Sequence, residues 1–166
     1  MGGFGAMGVL VGAAVGNSIA ATQNNMSKGE NGHHFAAVQK NTPKTLSTQL
    51  ESKLQETLKS DHFFSSRVKS VSENTLTSEI SCYRLARIGK DDQGRLLFAP
   101  EVYTTIQLKD KTGKSLVGRQ YIGKSTQGYT IDQFAGSSEK TKKAYDDALN
   151  NAVSAFQADL AIKTGE

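Results

Sequence analysis

The chain has 166 residues, enough for one domain of ordinary size and too few for a second sizeable core. Its 20 Lys and Arg against 16 Asp and Glu leave a net charge of +4, spread along the chain, which excludes the concentrated basic footprint of a nucleic-acid binder. A single cysteine excludes an intrachain disulfide framework and a Cys-rich zinc site, and 37% hydrophobic residues set the chain apart from wholly disordered sequences.

The first 21 residues, MGGFGAMGVLVGAAVGNSIAA, contain no charged side chain, and the first in the chain is Lys28. Gly8, Gly12 and Gly16 recur at intervals of four, which on a helix places them in one row. Such a row lets a second helix approach closely, as in membrane helix packing, so these glycines are the candidate membrane or oligomer contact. The stretch is long enough to cross a hydrocarbon core of roughly 30 Å. Against that, each glycine costs about 1 kcal/mol relative to alanine inside a helix. Residues 1–27 therefore read as a Gly/Ala-rich apolar leader, membrane-associated or disordered.

Residues 28–41 read as a polar linker, with Gly29, Asn31 and Gly32 before the short FAAV patch at Phe35–Val38 that can dock onto a domain. The adjacent imidazoles of His33 and His34 lack Cys or carboxylate partners and make a poor metal site.

From residue 42 to 166 the periodicities are those of a folded α+β domain. Thr42 and Pro43 supply an N-cap and a first helical position. Leu46, Leu50, Leu54 and Leu58 then recur every four residues as the apolar row of an amphipathic helix. A short strand is expected over residues 67–72. In the next, TLTSEISCYRLARIG, Leu76, Ile80, Cys82, Ala86 and Ile88 share an apolar face and Thr77, Glu79, Ser81, Tyr83 and Arg87 a wet one. Asp91–Gly94 is a loop, and a third strand alternates Val102, Thr104, Ile106 and Leu108 against Glu101, Tyr103, Thr105 and Gln107, with Pro100 near its start. Lys111–Gly113 is a tight turn into a fourth strand from Lys114 to Lys124. Ser137 and Ser138 can cap a terminal helix whose stripe is Tyr145, Leu149, Ala152, Phe156 and Leu160. The expectation is a two-layer sandwich in the order α-β-β-β-β-α, an antiparallel four-stranded sheet with two helices on one face, preceded by the glycine-rich leader.

Gly118–Ser125 satisfies the phosphate-loop pattern G-x4-G-K-[ST] in full. That chemistry needs a strand ending before Gly118 and a helix beginning near Lys124. Arg119, Gln120, Tyr121 and Ile122 instead extend a strand-like run, Gly128 interrupts any following helix, and 41 residues after Ser125 leave no room for a parallel nucleotide-binding sheet. An edge strand is the better reading. No G-x-S-x-G elbow is present, and Asp91-Asp92 and Asp146-Asp147 read as loop and helix-surface carboxylates, so no catalytic residue, cofactor or metal site is assigned.

The leader, the linker and an α+β domain resemble small bacterial cell-envelope lipoproteins. The segment AYDDALNNAVSAFQADLA is similar to the closing helix of periplasmic auxiliary lipoproteins with a TolB amino-terminal-like domain, and LSTQLESKLQETL followed by HFF resembles their first helix. The likeness covers residues 42–163 and is one of pattern. It implies a non-enzymatic accessory module on the periplasmic side of a bacterial membrane, the outer membrane being favoured, which binds a protein partner, a lipid or the cell wall. A lipoprotein carries a cysteine directly after its signal peptide, whereas the sole cysteine here is Cys82, within a strand. The anchor is then either a cysteine upstream of Met1 or the glycine segment itself. Tyr83, Arg87, Tyr103 and Tyr121 are the candidate partner contacts, since Tyr and Arg anchor interfaces well. Two other functions stay open: a soluble nucleotide-binding protein using Gly118–Ser125, and a secreted factor that self-assembles through its glycine row.

Overall fold

The computed structural model describes residues 7–8, 13–15, 32–61, 68–69 and 74–164. The described elements in chain order are β1 (Met7–Gly8), β2 (Ala13–Val15), α1 (Gly32–Asn41), α2 (Leu46–Ser60), β3 (Val68–Lys69), β4 (Thr75–Lys90), β5 (Leu96–Lys109), β6 (Ser115–Lys124), α3 (Ile131–Gly136) and α4 (Ser138–Thr164).

The leucine row behaves as its spacing demands: Leu46, Leu50, Leu54 and Leu58 are all buried along α2. Thr42 and Pro43 do not open that helix. Thr42 closes α1, its hydroxyl donating to the Val38 carbonyl at 3.0 Å and its N–H to the same oxygen at 2.9 Å. Pro43, which has no N–H to continue the ladder, comes immediately after it. Helix α1 lies within the stretch read as a linker, and its Val38 is buried with Phe98, Phe134 and Ala144. The FAAV patch is the signal for it.

Strands β4, β5 and β6 form an antiparallel meander. Its two hairpins are built alike. In the first, the Gly94 N–H donates to the Asp91 carbonyl and Gly94 takes a φ of 77°; in the second, Gly113 donates to Asp110 and takes a φ of 82°. Each aspartate side chain also accepts backbone N–H groups, Asp91 from Gln93 and Arg95 and Asp110 from Thr112 and Lys114. Glycine is needed at both because a left-handed φ strains any residue with a Cβ. Pro100 sits five positions into β5, not at its start, where the ladder to β6 has just ended at the Glu101–Lys124 pair. It needs only an acceptor there, and its carbonyl takes the Ser125 N–H at 2.9 Å.

The expected sandwich of four antiparallel strands and two helices is corrected. The sheet has three antiparallel strands, with helices on both sides of the strands: α1 and α2 before them, α3 and α4 after. Its fourth member is β2, from the leader, which runs parallel to β4 with Ala13, Ala14 and Val15 opposite Ser78, Glu79 and Ile80. Of the strand expected over residues 67–72, residues 67 and 70–72 lie outside the described residues. Of that stretch Val68–Lys69 forms β3, which pairs in parallel with β1 outside the main sheet. The unforeseen α3 opens with a capping box, in which Thr130 accepts from the Gln133 N–H while the Gln133 side chain accepts from the Thr130 N–H.

Helix α4 keeps its expected stripe, with Tyr145, Leu149, Ala152, Phe156 and Leu160 buried and the Ser137 hydroxyl accepting the Lys140 N–H at its start. With α2 it shares one cluster with Leu76, Ile80, Val102, Ile106, Leu108, Val117 and Tyr121 of the sheet. Burying this many aliphatic and aromatic side chains, each worth about 1.5–3 kcal/mol, is the main stabilising term of the domain.

Strand β4 is not regular. Ile80 pairs with Thr104 and Cys82 with Tyr103, so Ser81 is an extra residue, and Ile88 is another between the Arg87–Phe98 and Gly89–Leu97 pairs. Each bulge reverses the alternation of the strand residues beyond it. After Ser81 it is Tyr83 and Leu85 that meet the core, Tyr83 in an edge-to-face contact with Tyr145 at 5.6 Å and Leu85 against the Phe98–Phe134 cluster. Cys82 moves to the other face.

At the crossing of α4 and β6 the backbones nearly touch. A Cβ on Gly123 would stand 1.9 Å from the Ala148 carbonyl oxygen and 2.9 Å from the Ala152 Cβ. Gly123→Ala is expected to lose about 3 kcal/mol of stability in urea unfolding, by overpacking against backbone that cannot yield. Gly136→Ala, where nothing lies within 4 Å, serves as the control and stays within about 0.5 kcal/mol of the parent.

Candidate functional site

Opposite the α2–α4 core, the three long strands present two cross-strand rows. One is Cys82, Tyr103 and Ile122; the next is Arg84, Glu101 and Lys124. The Ser81 bulge puts Arg84 in register with Glu101, and the end of the β5–β6 ladder puts Lys124 there from the other side.

Glu101 is buried, with 9% of its side chain exposed, yet its carboxylate is fully engaged. Arg84 Nε and Nη2 each donate to Oε2 at 2.7 Å, the Tyr103 hydroxyl donates to the same oxygen at 3.0 Å, and Lys124 Nζ lies 3.3 Å from Oε1. The Arg84 guanidinium also sits over the Tyr103 ring, 5.5 Å from its centroid. Burial pushes the Glu101 carboxyl up, but the hydrogen bonds from Arg84, Tyr103 and Lys124 outweigh it and hold it below the usual carboxylate range. The same bond raises Arg84, and burial together with the bond to Glu101 raises Tyr103. The cluster therefore sets one ionised carboxylate against two cations and a phenol held neutral. Its chemistry is presentation: a guanidinium and an ammonium, 48% and 68% exposed as side chains, beside a Tyr edge and Ile122, itself 43% exposed.

Of the four residues expected to meet a partner, only Tyr103 belongs to this surface. Tyr83 is half-buried against Tyr145, turned there by the bulge. Tyr121 is a core residue, edge-to-face with Phe156 at 5.6 Å; its hydroxyl donates to Asp159 Oδ2 at 2.8 Å, and burial and that bond push its pKa up to about 12. Arg87 is exposed, but it pairs with Phe98 near the far end of β4, away from Glu101. Gly8 lies in β1, opposite Lys69, while Gly12 and Gly16 lie outside the described residues. Sequence reasoning misses Arg84, Glu101, Lys124 and Ile122. Glu101 and Tyr103 carry a signal that could have found them together, because they alternate on one strand face with a Pro before them. Lys124 is hidden by the motif it completes.

That motif forms no phosphate cradle. Gly118–Lys124 is extended within β6, and the next helix, α3, begins only at Ile131. Lys124 is committed to Glu101, and the Ser125 hydroxyl donates to Asp147 at 3.0 Å, beside a Thr126 N–H that donates to the same oxygen at 2.7 Å. Among the described residues no group of three or more His, Cys, Asp or Glu side chains could hold a metal ion, and no helix is long and apolar enough to cross a membrane.

No protein-family model matches the chain, and no curated protein sequence does. Among solved structures, it is similar to a minor lipoprotein from Acinetobacter baumannii, with 14% identity, a TM-score of 0.43, and coverage of 74% of this chain and 87% of that one.

The ionised Glu101 stabilises the fold at pH values above its unfolded pKa, and that contribution is lost as pH falls through its depressed folded value. Glu101→Gln is expected to cost about 1 kcal/mol near neutral pH, a figure discounted for the exposure of both cations. The gap to the parent should close as the medium is acidified past the carboxylate range, as read from urea unfolding at a series of pH values.

Proposed function

We propose that the chain is a non-enzymatic accessory module of the bacterial cell envelope. Its leader holds it at a membrane, facing the periplasm at the outer membrane, and it acts by binding a protein partner through the sheet surface around Glu101. The observation that carries the partner reading is the fixed Arg84–Tyr103 pair. Most exposed arginines must be immobilised when a partner arrives, at a cost of about 0.5–1.5 kcal/mol for each such side chain. Here two bonds to Glu101 and the Tyr103 ring have already oriented the guanidinium. Ordered Arg and Tyr beside an exposed aliphatic residue is the composition of an interface centre, where a few anchors carry most of the affinity.

The membrane reading rests on the leader, whose first 27 residues carry no charge, and on a domain whose basic excess is attracted to anionic headgroups. The nucleotide-binding alternative is set aside on the geometry of β6.

A photo-crosslinking residue placed at Ile122 in the native host is expected to yield one discrete protein adduct that Arg84→Glu removes, whereas the same residue at exposed Thr48 on α2 yields none. Equal labelling at both positions would defeat the partner reading. Fractionation tests the tether: the full chain is expected in the membrane fraction and a chain lacking residues 1–27 in the soluble one, and membrane recovery of the shortened chain would defeat it.

A further inference from the structure

The Glu101 cluster uses only part of its donors. A guanidinium has five N–H groups. Arg84 gives one from Nε and one from Nη2 to Glu101 Oε2, which occupies the side-on edge of its fork. Both N–H groups of Nη1 and the second of Nη2 remain, and they form the end-on edge, where a second carboxylate pairs bidentately. Among the described residues the Arg84 side chain bonds only to Glu101 and stacks only on Tyr103, and 48% of it is exposed. The Lys124 ammonium has three N–H groups, one contact at 3.3 Å with Glu101 Oε1, and a side chain 68% exposed.

We propose that the partner sets the carboxylate of an Asp or Glu side chain against the end-on edge of Arg84, beside Lys124, and lays a neighbouring apolar side chain on Ile122. This names the chemistry of the partner and rests on the partner reading above. Charge selects the occupant. Two cations against one carboxylate leave one positive charge, and the negative member is the one a docking group does not reach, Glu101 being 9% exposed. A single carboxylate closes that charge, whereas a phosphate dianion overshoots it and repels Glu101. Geometry adds selectivity. The bonds to Glu101 and the Tyr103 ring fix the plane of the guanidinium, so its free edge is already directed when the carboxylate arrives. Ile122 lies two residues from Lys124 on the same strand face and is 43% exposed, which supplies the apolar flank.

The adduct formed at Ile122 is digested and the linked partner peptide sequenced. An Asp or Glu is expected within about three residues of the linked position, since three extended residues span the roughly 10 Å between β4 and β6. The purified partner is then titrated calorimetrically into the full chain. Arg84→Lys keeps the positive charge and a bond to Glu101 but removes the free edge, and it is expected to weaken binding about tenfold. Changing the partner's Asp or Glu to its amide has the same effect, and the two changes together lose little more than either alone. Lys124→Gln, at an exposed side chain, takes the place of Arg84→Lys in the cycle if that variant does not fold. A linked peptide with no acidic residue in that span, or losses that add in full, overturns the carboxylate and leaves the partner reading standing. The absence of a protein adduct, or a lipid adduct in its place, overturns the partner reading and the carboxylate with it.

Discussion

One extra residue at Ser81 decides which side chains of the longest strand reach the core. Before it, Leu76 and Ile80 face α2 and α4; beyond it the phase reverses, and Tyr83 and Leu85 take that side. Without the bulge, Arg84 would be directed at the core and Tyr83 at solvent. An arginine there would need a buried counterion, and the Tyr83–Tyr145 contact would be lost. The bulge allows a sequence with an apolar-to-polar phase slip to remain one strand. By the same step it delivers Arg84 to Glu101, so the core and the candidate surface share a single backbone irregularity.

Glu101 sits on the central strand, where neighbours on both sides leave its carboxylate little water. Burying an ionised carboxylate is unfavourable unless its oxygens are bonded and its charge opposed. Both conditions are met by residues of three strands, which makes the site a register lock as well as a surface: a one-residue slip of β4 or β6 would remove Arg84 or Lys124 and strand the charge. The exposed cations owe their order to this buried partner. Presentation and stability therefore come from the same bonds.

Much of the fold is legible in the sequence wherever periodicity is uninterrupted. The α2 leucines, the α4 stripe and both aspartate–glycine hairpins follow from spacing and turn chemistry, because each is a local pattern with one physical solution. The features that are not legible depend on contacts distant in sequence. Ser81 is an ordinary strand residue by type, and only its partners on β5 make it the extra one. The FAAV patch marks Val38 as a docking residue, but only the structure shows that Phe98 and Phe134 are what it meets. Parallel pairing of β2 with β4 joins residues more than sixty positions apart, and no composition signal distinguishes that from a free leader. The phosphate-loop motif misleads for the opposite reason. Gly123 is required by the carbonyl of Ala148, Lys124 by Glu101 and Ser125 by Asp147, three unrelated demands that together spell a ligand signature.

The two borders of the sheet are managed differently, and that asymmetry organises the molecule. An open strand edge is a template for pairing with another chain and is normally blunted. Along β6 the blunting comes from α4: Arg119 is paired with Asp159 at 2.9 Å, Asn151 donates to the Lys124 carbonyl at 2.8 Å, and Asp147 takes the Ser125 hydroxyl and the Thr126 N–H just beyond the strand. These are contacts of a 27-residue helix whose whole apolar stripe is buried, so they open only when the domain does. Along β4 the cover among the described residues is the three-residue strand β2, which also packs against α2. A three-residue ladder gives the β4 border fewer bonds than a helix of 27 residues gives β6, and the weaker contacts are where local opening begins.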